Sequence, residues 1–98
     1  MTVENLTKTP SKAVIKEWLI DLMAEQFQME PEEIDSDQQL TRYGLDSVDG
    51  FTLVGELEEW FEEEFCELEI PNTLIWDYPT INKITEYLAS QLEEFEQN

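Results

Sequence analysis

Apolar positions recur along this chain in three long stretches, at the three-to-four-residue spacing of a helix with one buried stripe. In the first stretch Ile15, Trp18, Leu19, Leu22, Met23 and Phe27 share a face, and Lys12, Lys16, Glu17, Asp21 and Glu25 fall mainly on the other. Thr9-Pro10 is a start signal, Thr9 as cap and Pro10 in the first position, so the spacing predicts a helix over 10–28. In the second stretch, predicted as a helix over 47–65, Val48, Phe51, Val54, Leu57, Phe61 and Phe65 are expected to face inward, with Leu53 and Trp60 on or near the exposed face. In the third, Thr80 caps a helix whose buried face is Ile81, Ile84, Leu88, Leu92 and Phe95. Thr73–Tyr78 reads as a short helix stopped by Pro79. Residues 29–46 form a long connection whose aliphatic residues Ile34, Leu40 and Leu45 are expected to pin it down, with a turn of helix near Pro31–Ile34. No repeat, strand pattern or second domain is visible. The prediction is an all-α four-helix bundle, three longer helices plus a short third, with a long first loop. It forms one domain over 1–98 with loose ends at 1–9 and 93–98.

Composition narrows the function. Five Lys+Arg stand against 24 Asp+Glu in 98 residues, a net charge of −19. Such a chain repels nucleic acid and anionic membranes and attracts basic protein surfaces. Histidine is absent and cysteine occurs once. No Ser–His or Cys–His catalytic pair and no Cys/His zinc site is therefore available, and no catalytic or metal-ligating residue is assigned. Cys66 lies in an apolar stretch and reads as a small core or boundary residue. The opening Met1-Thr2-Val3-Glu4-Asn5-Leu6 has no apolar signal region, and no run approaches membrane-spanning length. We expect a cytoplasmic protein without membrane insertion, monomeric, and free-standing on the strength of Met1 and the short polar ends.

The run Tyr43-Gly44-Leu45-Asp46-Ser47-Val48-Asp49-Gly50 stands where the polar connection gives way to the acidic second helix. Ser47 is thus a hydroxyl at a helix N-terminus, where free N–H groups and the helix dipole favour an anion by about 0.3–1 kcal/mol when exposed. As a cap alone, Asp46 or Ser47 contributes about 1 kcal/mol. Val48 is expected to anchor the first turn in the core and hold the serine outward.

Gly44-Leu45-Asp46-Ser47-Val48 resembles the modification site of acyl carrier proteins, Gly-Leu-Asp-Ser followed by an apolar residue. Ile70-Pro71-Asn72-Thr73-Leu74-Ile75-Trp76-Asp77-Tyr78-Pro79-Thr80-Ile81 is similar to the segment joining helix II to helix IV in carrier domains of polyketide-synthase type. Pro31-Glu32-Glu33-Ile34-Asp35-Ser36-Asp37-Gln38-Gln39-Leu40 is similar to the family's first long loop. The likeness runs from about residue 11 to residue 92. It implies that Ser47 receives a 4′-phosphopantetheine arm from coenzyme A, with Gly44, Leu45, Asp46 and Val48 as motif support. The arm carries acyl groups as thioesters in fatty acid, polyketide or related lipid synthesis. It implies a phosphopantetheinyl transferase as modifying enzyme, and acyltransferase or ketosynthase-type partners with basic docking surfaces. Helix II is the face such partners read. Glu56, Glu58 and Glu59, with Asp49, are the docking residues expected here, since like charges at four-residue spacing oppose the helix and a merely solvated face mixes signs. Asp49-Gly50 and Gly55 depart from the family's usual helix formers, and the stretch from Ser47 to Pro71 is about one helical turn longer than usual.

The alternatives are a carrier-fold protein whose serine stays unmodified and serves protein contacts, and a peptidyl carrier, whose domains usually show Gly-Gly-His/Asp-Ser. A calcium loop with Gly50 at its sixth position fails because Leu45 occupies the first ligand position. A hydrolase elbow fails because positions 45 and 49 are Leu45 and Asp49, not glycine.

Overall fold

The computed structural model describes residues 11–65 and 68–97, with side chains as far as Glu93. Among the described residues all regular structure is helical. Helix α1 spans Lys12–Phe27, α2 Ser47–Glu64, α3 Leu74–Asp77 and α4 Ile81–Gln97, with single 3₁₀ turns at Pro31–Glu33 and Leu40–Tyr43. The expected four-helix arrangement with a long first connection is the one observed. The expected cap Thr9 and helical Pro10, Cys66, and the Phe95 side chain lie outside the described residues. The cap of α1 is Ser11, whose hydroxyl accepts from the Val14 N–H at 3.3 Å.

One core joins the four helices and the loop. Ile15, Leu19 and Met23 of α1, Leu53, Leu57 and Phe61 of α2, Leu74 and Ile75 of α3, and Ile81, Ile84 and Leu88 of α4 are all fully buried. Thr80 caps α4, its hydroxyl accepting from the Lys83 N–H at 3.1 Å. Ile34, Leu40 and Leu45 are buried, as their spacing in the polar loop predicted. Polar ties hold the loop as well. The Leu40 N–H donates to the Pro79 carbonyl at 2.9 Å and the Asn82 N–H to the Ser36 carbonyl at 3.1 Å. Asn82 Nδ2 donates to Asp37 Oδ1 at 2.6 Å, and the Asp35 N–H donates to the Tyr43 hydroxyl at 2.9 Å. The Tyr43 ring stacks on Phe27 of α1 at 5.2 Å. The loop is thus folded on itself and fastened at both ends, which fixes where α2 begins.

The rotation of α2 differs from the sequence expectation. Leu53, expected outside, is 1% exposed; Val48 and Phe51, expected inside, are 70% and 53% exposed. The longest regular apolar series on α2 is Leu53–Leu57–Phe61, reinforced by Gly50 and Val54. Nine residues separate Val48 from Leu57, about 180° around a helix of 3.6 residues per turn. Burying Leu53, Leu57 and Phe61 therefore turns Val48 out. Trp60, expected on the exposed face, is half-buried against Trp18 of α1, ring centroids 4.5 Å apart.

Candidate functional site

Each residue of the Gly44–Ser47 run has a separate structural task. Gly44 closes the Leu40–Tyr43 turn at φ 99°, a left-handed conformation that a side chain would strain. Leu45 is buried at 3% exposure and is the anchor that was expected of Val48. Asp46 is the cap of α2: its Oδ1 accepts from the Asp49 N–H at 3.0 Å, and Asp49 Oδ2 accepts from the Asp46 N–H at 3.3 Å. This reciprocal capping box gives the unusual Asp49 a function at the third helical position. Ser47, the first helical residue, is exposed. Its own N–H and that of Val48 precede the first intrahelical acceptor, so an anion on Ser47 Oγ meets the positive end of the helix.

Gly50 explains itself across the α2–α3 contact. A Cβ there would lie 2.6 Å from Ile75 Cδ1 and 3.1 Å from Ile75 Cγ1. The missing side chain lets α3 lie against the first turn of α2. That approach places Trp76, 49% exposed, beside Phe51, with ring centroids 6.1 Å apart. Val48, Phe51 and Trp76 thus form an exposed apolar shelf within one turn of Ser47. Sequence reasoning missed the shelf, although the phase of Leu53, Leu57 and Phe61 carried the signal. Gly55 has open space where a Cβ would stand, so no packing demands a glycine there.

The four expected docking carboxylates do not share one face. Asp49 is half-buried in the capping box. Glu58 is turned toward the segment before α3, where its Oε2 accepts from the partly buried Ile70 N–H at 2.9 Å. That bond gives Glu58 a structural partner, because a buried amide needs an acceptor. Glu59 is exposed and points outward; Glu56, also exposed, lies nine residues and therefore about 180° round from Ser47, on the α1 side. Among the described residues no group of three or more His, Cys, Asp or Glu is placed to hold a metal ion. No described helix is long and apolar enough to cross a membrane.

Ser47 thus stands exposed on a capped helix, positioned by a left-handed glycine and a buried leucine. The family model described as "Phosphopantetheine attachment site" matches residues 17–88, most of the chain and all of this geometry. The chain belongs to that family. It is a carrier protein whose family bears a covalent 4′-phosphopantetheine, and its relatives are carrier regions of polyketide synthases and free carrier proteins. It is 33% identical over 79 residues to a phenolphthiocerol/phthiocerol polyketide synthase polypeptide of Mycobacterium tuberculosis, which covers 81% of this chain and 4% of that one. It is 30% identical over 81 residues to 6-methylsalicylic acid synthase of Penicillium expansum, covering 83% of this chain and 4% of the synthase. The carrier protein thus spans about one twenty-fifth of the length of these curated relatives. Among solved structures, it resembles a free-standing peptidyl carrier protein from an Acinetobacter baumannii secondary metabolic pathway. That match has TM-score 0.73 and 44% identity over 84% of this chain and 96% of the other. An acyl carrier protein from Anabaena, with a variant phosphopantetheinylation-site sequence, matches with TM-score 0.70 and 34% identity, over 84% of this chain and 91% of that one.

Proposed function

We propose that Ser47 is the attachment residue of this carrier protein, and that the chain carries acyl intermediates and does not itself catalyse. The observation behind the reading is the exposed Ser47 hydroxyl at the capped start of α2. A serine hydroxyl is a weak nucleophile without a base, and the chain has no histidine. The base must come from the modifying enzyme, a phosphopantetheinyl transferase using coenzyme A and Mg²⁺. Ser47 Oγ bonds to the phosphorus that bears the pantetheine half of coenzyme A. The pyrophosphate P–O bond breaks with loss of adenosine bisphosphate, and the hydroxyl proton goes to the transferase. Asp46 and Asp49 hold the first turn rigid, and the N–H groups of Ser47 and Val48 face the phosphodiester charge. When bound, the arm supplies a terminal thiol that holds cargo as a thioester.

Docking in this reading uses the apolar Val48–Phe51–Trp76 shelf beside Ser47, while Glu59 and Glu56, farther along α2 and toward α1, supply negative charge that steers basic partners. Ketosynthase- and acyltransferase-type enzymes are the partner classes of this reading, polyketide-type synthesis is the setting that the relatives' names favour, and a cytoplasmic location belongs to the same proposal. Contacts of this mixed kind form fast and release readily. A second reading, aminoacyl cargo, draws on the 44% identity with the Acinetobacter peptidyl carrier.

Intact mass measured after incubation with coenzyme A, Mg²⁺ and a broad-specificity transferase tests the proposal, with Ser47→Ala alongside. One phosphopantetheine addition, lost in the variant, is expected. Absence of any addition with several transferases would leave a carrier fold kept for protein contacts. Mass analysis of the thioester loaded in the native host then separates acyl from aminoacyl cargo.

A further inference from the structure

The chain segment that delivers Ser47 is tied to distant parts of the molecule by a residue outside the Gly44–Ser47 run. Tyr43 ends the Leu40–Tyr43 turn and directly precedes the left-handed Gly44. Its half-buried ring lies on Phe27, the last residue of α1, with centroids 5.2 Å and planes 23° apart. Its hydroxyl accepts from the Asp35 N–H at 2.9 Å, eight residues upstream. Asp35 in turn organises the chain beyond it. Its Oδ1 accepts from the Asp37 N–H at 2.9 Å and its carbonyl from the Gln38 N–H at 3.1 Å. Asn82, in the first turn of α4, holds this stretch from the far side, its Nδ2 donating to Asp37 Oδ1.

A phenylalanine at position 43 would stack on Phe27 equally well and leave the Asp35 amide to water. Asp35 is exposed, so hydration replaces most of what that bond contributes to stability. The Tyr43 hydroxyl therefore matters more to geometry than to folding. It fixes the direction in which the chain enters Gly44, Leu45, Asp46 and Ser47. A transfer reaction is sensitive to that direction, because a displacement of about 1 Å can cost up to about a hundredfold in rate.

We propose that Tyr43 is a positioning residue for the transfer of the arm to Ser47, and that Asn82 acts on Ser47 through the series Asp37–Asp35–Tyr43. This role rests on the reading of Ser47 as the attachment residue. It adds to that reading a residue outside the motif and a dependence on the start of α4, which is remote from Ser47 in the chain.

The test is steady-state kinetics of phosphopantetheine transfer on the parent protein, Tyr43→Phe, Asn82→Ala, the double variant and Ile15→Val. The last trims the buried core at the far end of α1 and controls for stability. Tyr43→Phe is expected to lower kcat about fivefold and to leave the KM for the carrier unchanged, since the docking surface is intact. Asn82→Ala is expected to lower kcat about threefold alone and no further when Tyr43 is already phenylalanine, as befits two residues acting in one series. Ile15→Val is expected to keep the parent kcat. In nitrogen-15 correlation spectra of the unmodified protein, Tyr43→Phe should move the Asp35, Gly44 and Ser47 amide signals and leave the Trp60 indole signal in place. A parent protein that takes no arm at Ser47 would sink the attachment reading and this role with it. A parent that is modified normally isolates the role of Tyr43. An unchanged kcat or a change in KM alone for Tyr43→Phe, still Gly44 and Ser47 signals, an equal loss in Ile15→Val, or independent losses in the double variant would each then overturn the proposal.

Discussion

At its first turn α2 points Val48, Phe51 and the Ser47 hydroxyl into solvent and is held by local devices: the Asp46–Asp49 box, the Gly44 turn, buried Leu45 and the close approach of Ile75 at Gly50. At its last turns the same helix draws Trp60, Phe61 and Phe65 into a ring cluster with Trp18. It also fastens the next segment through Glu58 and Ile70. The first end is capped without being buried, which suits the proposed attachment at Ser47. The second end is stabilised by apolar burial, the larger source of folding energy. Stability and presentation are thus divided along one helix, so changes at the two ends should fall on different measurements.

The sharpest separation is Ser47→Ala, which should abolish phosphopantetheine addition and leave the melting temperature within experimental error. A variant that still takes up the arm would place the attachment elsewhere. Phe61→Ala, at the other end and fully buried, should cost about 3–5 kcal/mol in denaturant unfolding. Phe51→Ala should cost well under about 1 kcal/mol, the range of exposed positions, yet slow modification by the transferase. If Phe51→Ala unfolds the protein as Phe61→Ala does, the rotation of α2 described above is wrong.

Glu58→Ala leaves the Ile70 N–H without its acceptor and should cost about 1–3 kcal/mol, while Glu58→Gln, which keeps a carbonyl acceptor, should recover most of it. Charge alone predicts the same result for both, so the pair of chemical-denaturation curves decides between latch and docking charge. The two glycines make a finer comparison. Gly50→Ala gains up to about 1 kcal/mol of helix propensity and loses about 1–3 kcal/mol to overpacking against buried Ile75. A net loss is expected, with a change in Trp76 fluorescence. Gly55→Ala meets open space and should stabilise by up to about 1 kcal/mol. Asp46→Ala should likewise cost only about 1 kcal/mol, with a larger proportional loss in modification rate as the first turn frays.

Helical periodicity was sufficient to read the three long helices, Pro79 after Thr73–Tyr78 the short one, and the isolated Ile34, Leu40 and Leu45 the pinned loop. The glycine–leucine–aspartate–serine run was sufficient to read the cap at the start of α2, because capping is a local matter of backbone and one side chain. What could not be read locally was the rotation of α2. Val48, Phe51, Leu53, Val54, Leu57, Trp60, Phe61 and Phe65 together cover more of the helix surface than one core can take. Which of them lie inside is settled by the neighbours: α3 sits against Gly50, and α1 offers Trp18 to Trp60. Only the packed structure therefore showed that Leu45 and not Val48 is the anchor, that Glu58 is bound to Ile70, and that the apolar shelf stands beside the serine. The sequence by itself determined the helices, the pinned loop and the capped start of α2 at Ser47, since these depend on neighbours along the chain. The tertiary structure alone decided which face each helix turns outward, since that depends on how the apolar surfaces of different helices compete for one small core.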